Sequence, residues 1–240
     1  MPTNEHIVAS FDEELSELSQ KIAEMGGIAE QQVADSVAAL ARRDSDLAQS
    51  VIVIDRRMDR LEREVEDQAT LMIAKRQPMA QDLRQIVAAM HIASDLERVG
   101  DLAKNTAKRV FAIENNFGAQ RLVAGVEHIA EMSFAQLKNV LDAYTARDLK
   151  AALAVWERDD EIDAMYTSLF RELLTYMMED PRNISFCIHL LFCAKNLERI
   201  GDHATNIAET VHYLITGVAL TDERPKKDTT STTPVDFAEE

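Results

Sequence analysis

Residues 95–107 read DLERVGDLAKNTA, and residues 196–208 read NLERIGDHATNIA. Between Leu96–Ala107 and Leu197–Ala208, 8 of 12 positions are identical at an offset of 101. The rest of the chain keeps the same order. Ile22-Ala23-Glu24-Met25 returns as Ile129-Ala130-Glu131-Met132 at offset 107, Arg43-Asp44 as Arg147-Asp148 at offset 104, and Pro78 as Pro181 at offset 103. Offsets that drift by a few residues while the order holds are what length changes in turns produce, so the chain reads as one unit written twice. Any fold for it must bury the same hydrophobic pattern two times over.

Each unit reads as three helices, because apolar residues recur at helical spacing almost throughout. The first unit predicts a helix over about 5–42 with a kink at Gly26-Gly27, then one over about 46–75 capped by Asp44 or Asp46. The seam of that second helix is Val51, Ile54, Met58, Leu61 and Val65; Pro78 marks a tight turn, and a third helix follows over about 79–113. The second unit predicts helices over about 120–146, 149–178 and 184–216, with Asp148 as a cap and Pro181 at the turn. The expected fold is all-α: two tandem, pseudo-symmetric three-helix bundles, residues 5–115 and 116–219, joined around Asn115–Gly118. The Thr-, Asp- and Pro-rich residues 220–240 read as a disordered tail. With only 7 Gly, 5 Pro and 5% aromatic residues, the composition suits packed helices and not a β-sandwich or barrel.

The formal net charge of −16 repels phosphate backbones and sets nucleic acid aside as a partner; it suits cations or basic protein surfaces. Cys187 and Cys193 point in different directions on a helix and read as buried thiols. The opening residues have no apolar signal core, and the longest apolar stretch, Ile184 to Ala194, is too short to cross a bilayer. A cytoplasmic protein without membrane insertion is therefore expected.

Four acidic pairs stand at i,i+4 spacing, which puts both members on one helix face: Asp55/Asp59, Glu97/Asp101, Asp159/Asp163 and Glu198/Asp202. Single pairs of this kind are common in so acidic a chain and usually sit on a solvated face. Their placement is more informative. In a hairpin turning at Pro78, Asp59 is level with Glu97 and Asp55 with Asp101, because both pairs have position 78 as their midpoint. Asp163 with Glu198 and Asp159 with Asp202 are likewise centred beside Pro181. Four like charges at one height repel one another, so either neighbouring arginines (Arg98, Arg199) or a bound multivalent cation must offset them. All-oxygen ligands favour hard ions such as Mg, Mn, Ca or iron over a thiolate zinc site. Gly100 and Gly201, each between a Glu and an Asp, leave room for an ion or for close helix approach. Asn105 and Asn206, one turn on, are candidate additional ligands, and His203 reads as a surface histidine, or as a residue that makes the two sites unequal.

The paired LERxGD phrases, the acidic pairs before them, the RQPMAQDLR stretch at 76–84 and the looser EDPRNISF at 179–186 resemble the PhoU family of phosphate-uptake regulators, over about residues 5–217. The resemblance implies two related three-helix bundles. It implies metal ions (iron, Mn, Mg or Zn) held by E(D)xxxD motifs, here Asp55/Asp59, Glu97/Asp101, Asp159/Asp163 and Glu198/Asp202. It further implies a cytoplasmic adaptor that links the ATPase subunit of a phosphate-specific ABC transporter to a membrane sensor histidine kinase and represses the phosphate-starvation response. A homodimer suits a stack of amphipathic helices. Two rival readings stay open. A carboxylate-bridged metalloenzyme would need two Glu-x-x-His motifs in one bundle, and the chain has one, Glu209/His212. A structural helical protein would leave its acidic clusters solvated and bind no metal.

Overall fold

The computed structural model describes residues 3–113 and 120–221. Among them every regular element is helical: α1 (Thr3–Arg42), α2 (Ser45–Arg76), α3 (Gln81–Ile113), α4 (Gln120–Ala146), α5 (Leu149–Trp156), α6 (Asp159–Glu179) and α7 (Ile184–Thr216), with one 3-10 turn at Pro181–Asn183. The expected junction at Asn115–Gly118 and all but the first two residues of the expected tail lie outside the described residues.

The repeat is visible in the capping chemistry. Arg43 and Arg147 both adopt a left-handed backbone (φ 55° and 53°) and end α1 and α4. The next residue in each case caps the following helix: Asp44 Oδ1 accepts from the Leu47 amide at 2.9 Å, and Asp148 Oδ1 from the Ala151 amide at 3.1 Å. Each cap satisfies an amide that the helix itself leaves without a partner. Asp44→Ala and Asp148→Ala should each lower stability by about 1 kcal/mol in urea unfolding, while Asp→Asn at either site should cost little. An alanine as stable as the wild type would show that the cap contributes nothing.

One expectation is corrected. The helix over 149–178 is broken. Glu157 closes α5, Arg158 leaves the helical region, and α6 begins at Asp159. The break is fastened by Gln136, whose Nε2 donates to the Arg158 carbonyl at 3.0 Å, and α6 opens with three acids, Asp159, Asp160 and Glu161, at its positive end. α1 is one helix that runs through Gly26-Gly27. Gly26 lets α4 approach closely: a Cβ there would lie 3.1 Å from Leu141 Cδ1.

Helix α2 packs on α1 and α3, and α5 and α6 pack on α4 and α7, so each half forms the three-helix bundle that its sequence predicts, the second helix of the second half being the broken one. The halves join where α3 meets α7 and α1 meets α4. Helices α3 and α7 run antiparallel about an internal two-fold axis. Asn196 donates to Thr106 (3.3 Å), while Asp95 Oδ1 accepts from Asn206 (3.3 Å) and lies 2.9 Å from His203 Nδ1. The seam residues Ile86, Ala93, Leu96, Val99, Leu197, Ile200 and Ala204 are almost wholly buried.

Candidate functional site

On the first-half seam, Val51, Met58, Leu61 and Val65 are buried as expected and Ile54 is half-buried. One carboxylate joins them: Asp55 is 4% exposed. Its partner is Lys104, whose Nζ donates to Asp55 Oδ2 and to Asp101 Oδ1 at 2.5 Å each. One ammonium thus bridges α2 and α3. These two carboxylates hold the Lys104 proton well above the ordinary lysine range, against the desolvation that would release it. Glu97 and Asp59 complete the group. Burial raises the Glu97 carboxyl, and the negative charges of Asp101, Glu62 and Asp59 add to the rise against Arg98. Burial also raises Glu62, helped by Glu66 and Asp59. The first-half acids therefore share one electrostatic neighbourhood, with Glu62 as a member that the i,i+4 pattern did not single out.

The second half repeats the arrangement with different partners. Asp159 and Asp163 are 3% and 4% exposed, and Glu198 is 5% exposed. Asp159 Oδ1 accepts from the Thr205 hydroxyl at 2.9 Å and stands on the first turn of α6, where the helix dipole supports its charge. Lys195 Nζ donates to Glu198 Oε1 at 2.9 Å and lies 4.9 Å over the Tyr166 ring. The other oxygen, Glu198 Oε2, is buried with no hydrogen-bond partner in the protein. Burial pushes the Glu198 carboxyl up to about 7; Asp202 and Asp163 add to that, and Lys195 opposes it.

A glutamine faces each glycine. Gln32 Oε1 would lie 2.9 Å from a Cβ on Gly100, with Asp55 Oδ1 at 3.5 Å; Gln136 Oε1 would lie 3.4 Å from a Cβ on Gly201, behind Ile162 Cδ1 at 2.8 Å. Both glycines are thus positions of close approach between α3 or α7 and the rest of their own half. Both amide atoms of Gln32, and Gln136 Oε1, are buried without a protein partner. Unpaired buried acceptors beside carboxylates are what an oxygen-ligated cation would satisfy, so the donor chemistry fits a hard metal ion. The spacing is looser than a finished metal centre: among the described residues, no three Asp, Glu, His or Cys side chains enclose a ready position for an ion.

The remaining candidates lie apart. Asn105 is exposed and lines a cleft with Lys108, Arg109, His189 and Asn196. Asn206 donates to Asp95. His203 is no surface histidine: its side chain is 16% exposed and its ring meets Asp95, tying α7 to α3. Arg98 reaches only the rim, 3.5 Å from Glu97. Cys187 and Cys193 are buried free thiols. The one Glu-x-x-His is engaged elsewhere, Glu209 accepting from the Trp156 indole at 3.1 Å and His212 Nδ1 lying 3.1 Å from the Val218 carbonyl oxygen. No helix among the described residues is long and apolar enough to cross a membrane.

The fold and its paired oxygen-rich groups define a class, the duplicated three-helix bundles whose central seam carries acidic side chains. Comparison with known proteins places the chain within it. A family model described as the PhoU domain matches residues 22–110 and again 126–211, one match per half. The chain belongs to the PhoU family. It is 61% identical over 227 residues to a protein of Rhizobium meliloti called a phosphate-specific transport system accessory protein PhoU homolog, covering 95% of this chain and 96% of that one. A Caulobacter vibrioides protein of the same description is 54% identical over 95% of this chain and 99% of its own length. The crystal structure of PhoU from Pseudomonas aeruginosa superposes with a TM-score of 0.84 at 40% identity, over 87% of this chain and all of that one. The phosphate transport system regulatory protein PhoU from Streptococcus pneumoniae superposes at 0.81 and 28% identity, over 88% and 99%.

Proposed function

We propose that this chain is a regulatory accessory protein of a phosphate transport system, with no catalytic turnover of its own. In this reading it works in the cytoplasm. It docks on the ATPase subunit of a phosphate-specific ABC transporter, passes the state of that transporter to a membrane sensor histidine kinase, and keeps the phosphate-starvation response off while phosphate is ample. The observation that carries the reading is that both halves match the PhoU domain, together with near full-length relatives named as accessory proteins of phosphate transport. The net charge of −16 supplies the complementarity that a basic partner surface requires.

The carboxylates are read as cation sites that stiffen the bundles: Asp55, Asp59, Glu97 and Asp101 in one half, Asp159, Asp163, Glu198 and Asp202 in the other. The unpaired buried oxygens of Glu198 and Gln136 support this. When bound, a hard cation would supply positive charge to oxygens that otherwise repel one another.

Deletion of the gene should raise secreted phosphatase activity many-fold in phosphate-rich medium, and immobilised protein should retain the transporter ATPase from a lysate. A deletion strain whose phosphatase stays silent in rich phosphate rejects the regulatory role. The metal reading has its own check, elemental analysis of purified protein, with most of the metal expected to disappear in Asp101→Ala plus Asp202→Ala.

A further inference from the structure

One end of the α3–α7 crossing carries a positive cleft on a chain whose net charge is −16. The cleft encloses about 360 Å3 and is lined by Asn105, Lys108, Arg109 and Ala112 of α3 and by His189 and Asn196 of α7. Among the described residues, no carboxylate lines it, and neither Lys108 nor Arg109 forms an ion pair. Arg109 is held in place from the opposite helix. Its Nη1 lies 3.3 Å from His189 Nδ1, and its Cζ stands 4.2 Å over the Phe192 ring. A guanidinium has no acceptor, so Arg109 donates and His189 Nδ1 accepts. The imidazole is then neutral with its proton on Nε2, a state that burial and the Arg109 charge also favour by lowering its pKa. The cleft residues thus offer the remaining guanidinium N–H groups, the Lys108 ammonium, the His189 Nε2–H and the Asn105 amide, from two helices and with two fixed positive charges.

The repeat does not account for this charge. At the offset of 101, Lys108 and Arg109 correspond to Glu209 and Thr210, and Asn196 to Asp95. Glu209 accepts from the Trp156 indole, and Asp95 meets His203. The halves differ likewise at Lys104, which stands where the second half has Thr205. An acidic, internally paired counterpart means that the packing of α3 on α7 does not require cations at this place.

We propose that the cleft of Asn105, Lys108, Arg109 and His189 binds a small phosphate-bearing anion, either orthophosphate or the phosphoryl end of a small organic phosphate. A carboxylate brings a single charge and oxygens in one plane. A phosphate dianion brings a double charge and tetrahedrally arranged oxygens, which suits charged donors that come from α3 and α7 together. The Arg109 fork, already fixed against Phe192 and His189, loses little freedom when an anion arrives. The site goes beyond the regulatory reading above and makes no use of the carboxylate groups.

The test is equilibrium dialysis of full-length protein against radiolabelled orthophosphate, adenosine monophosphate and malonate, after chelator treatment so that no metal ion mediates binding. At least one of the two phosphates should bind with a dissociation constant below about 1 mM. Tighter orthophosphate identifies the free ion as the ligand, and tighter adenosine monophosphate identifies an organic phosphate. Lys108→Ala and Arg109→Ala should each weaken the better ligand about tenfold or more. Lys150→Ala removes an equal charge from an exposed position on α5 and should change affinity by less than about twofold. Circular dichroism reports folding. Lys108 is exposed, so Lys108→Glu, which should abolish binding, decides the matter if Arg109→Ala does not fold. No uptake of either phosphate at about 10 mM overturns the proposal. So does an affinity that Lys150→Ala lowers as much as Lys108→Ala, or malonate bound more tightly than both phosphates. None of these results bears on the gene-deletion test, so the regulatory reading stands or falls separately.

Discussion

Leu197→Ala is expected to lower the unfolding free energy by about 3–4 kcal/mol, within the range for a leucine deleted from a tightly packed interior. Leu197 is fully buried on α7, and its carbonyl accepts from the Ser133 hydroxyl on α4 at 2.8 Å. The side chain lies in the seam where the two halves join, with little freedom for the surrounding helices to close the gap. For a chain of this size, that loss lowers the melting temperature by about 10 °C. Leu96, its repeat counterpart on α3, is buried to the same degree, and Leu96→Ala should cost a similar amount. Chemical and thermal unfolding followed by circular dichroism give the numbers. A loss below about 1 kcal/mol in both variants would mean that α3 and α7 do not form the shared interior described above.

The second large effect is on pH dependence. In chelator-treated protein, stability should fall as pH climbs from about 4.5 to about 7 and then level off, and Glu198→Gln should remove most of that slope. Burial holds the Glu198 carboxyl protonated up to about 7, whereas the unfolded chain gives up the same proton near 4.5. Between those values the folded state binds more protons than the unfolded state, so raising the pH favours unfolding. The contact with Lys195 works the other way but does not overcome desolvation. After discounting for solvent screening, the effect is about 2 kcal/mol over the window. Urea midpoints measured at pH 5 and pH 7.5 for both proteins decide it. An equal slope in Glu198→Gln would assign the titration to other groups.

Much of this architecture is legible in the sequence, because the repeat supplies every landmark twice. The helix limits, the turns at Pro78 and Pro181, and the caps at Asp44 and Asp148 all follow from local chemistry: periodic apolar residues, a proline that cannot continue a helix, a short acid that accepts from an exposed amide. The break between α5 and α6 was not legible. No glycine or proline marks it, and the acids of Asp159–Glu161 read equally well as an ordinary solvated turn. The carboxylate pairs were found from spacing and hairpin geometry. Lys104, Glu62, Lys195 and Thr205 were missed, because which cation or hydroxyl reaches a buried acid is settled by packing between helices. Gln32 and Gln136 were within reach of sequence reasoning: they share the offset of 104 that relates Asp55 to Asp159. His203 was misread because the residue opposite it, Asp95, lies 108 positions away.

The internal two-fold axis has an evolutionary meaning. An assembly of two identical subunits must carry the same residue at both of its equivalent places, and a mutation alters the pair together. Fusing the halves into one polypeptide removes that constraint. The symmetric framework survives in the crossing of α3 and α7, while each half is at liberty to specialise, and a lysine opposite a threonine is what such freedom leaves behind.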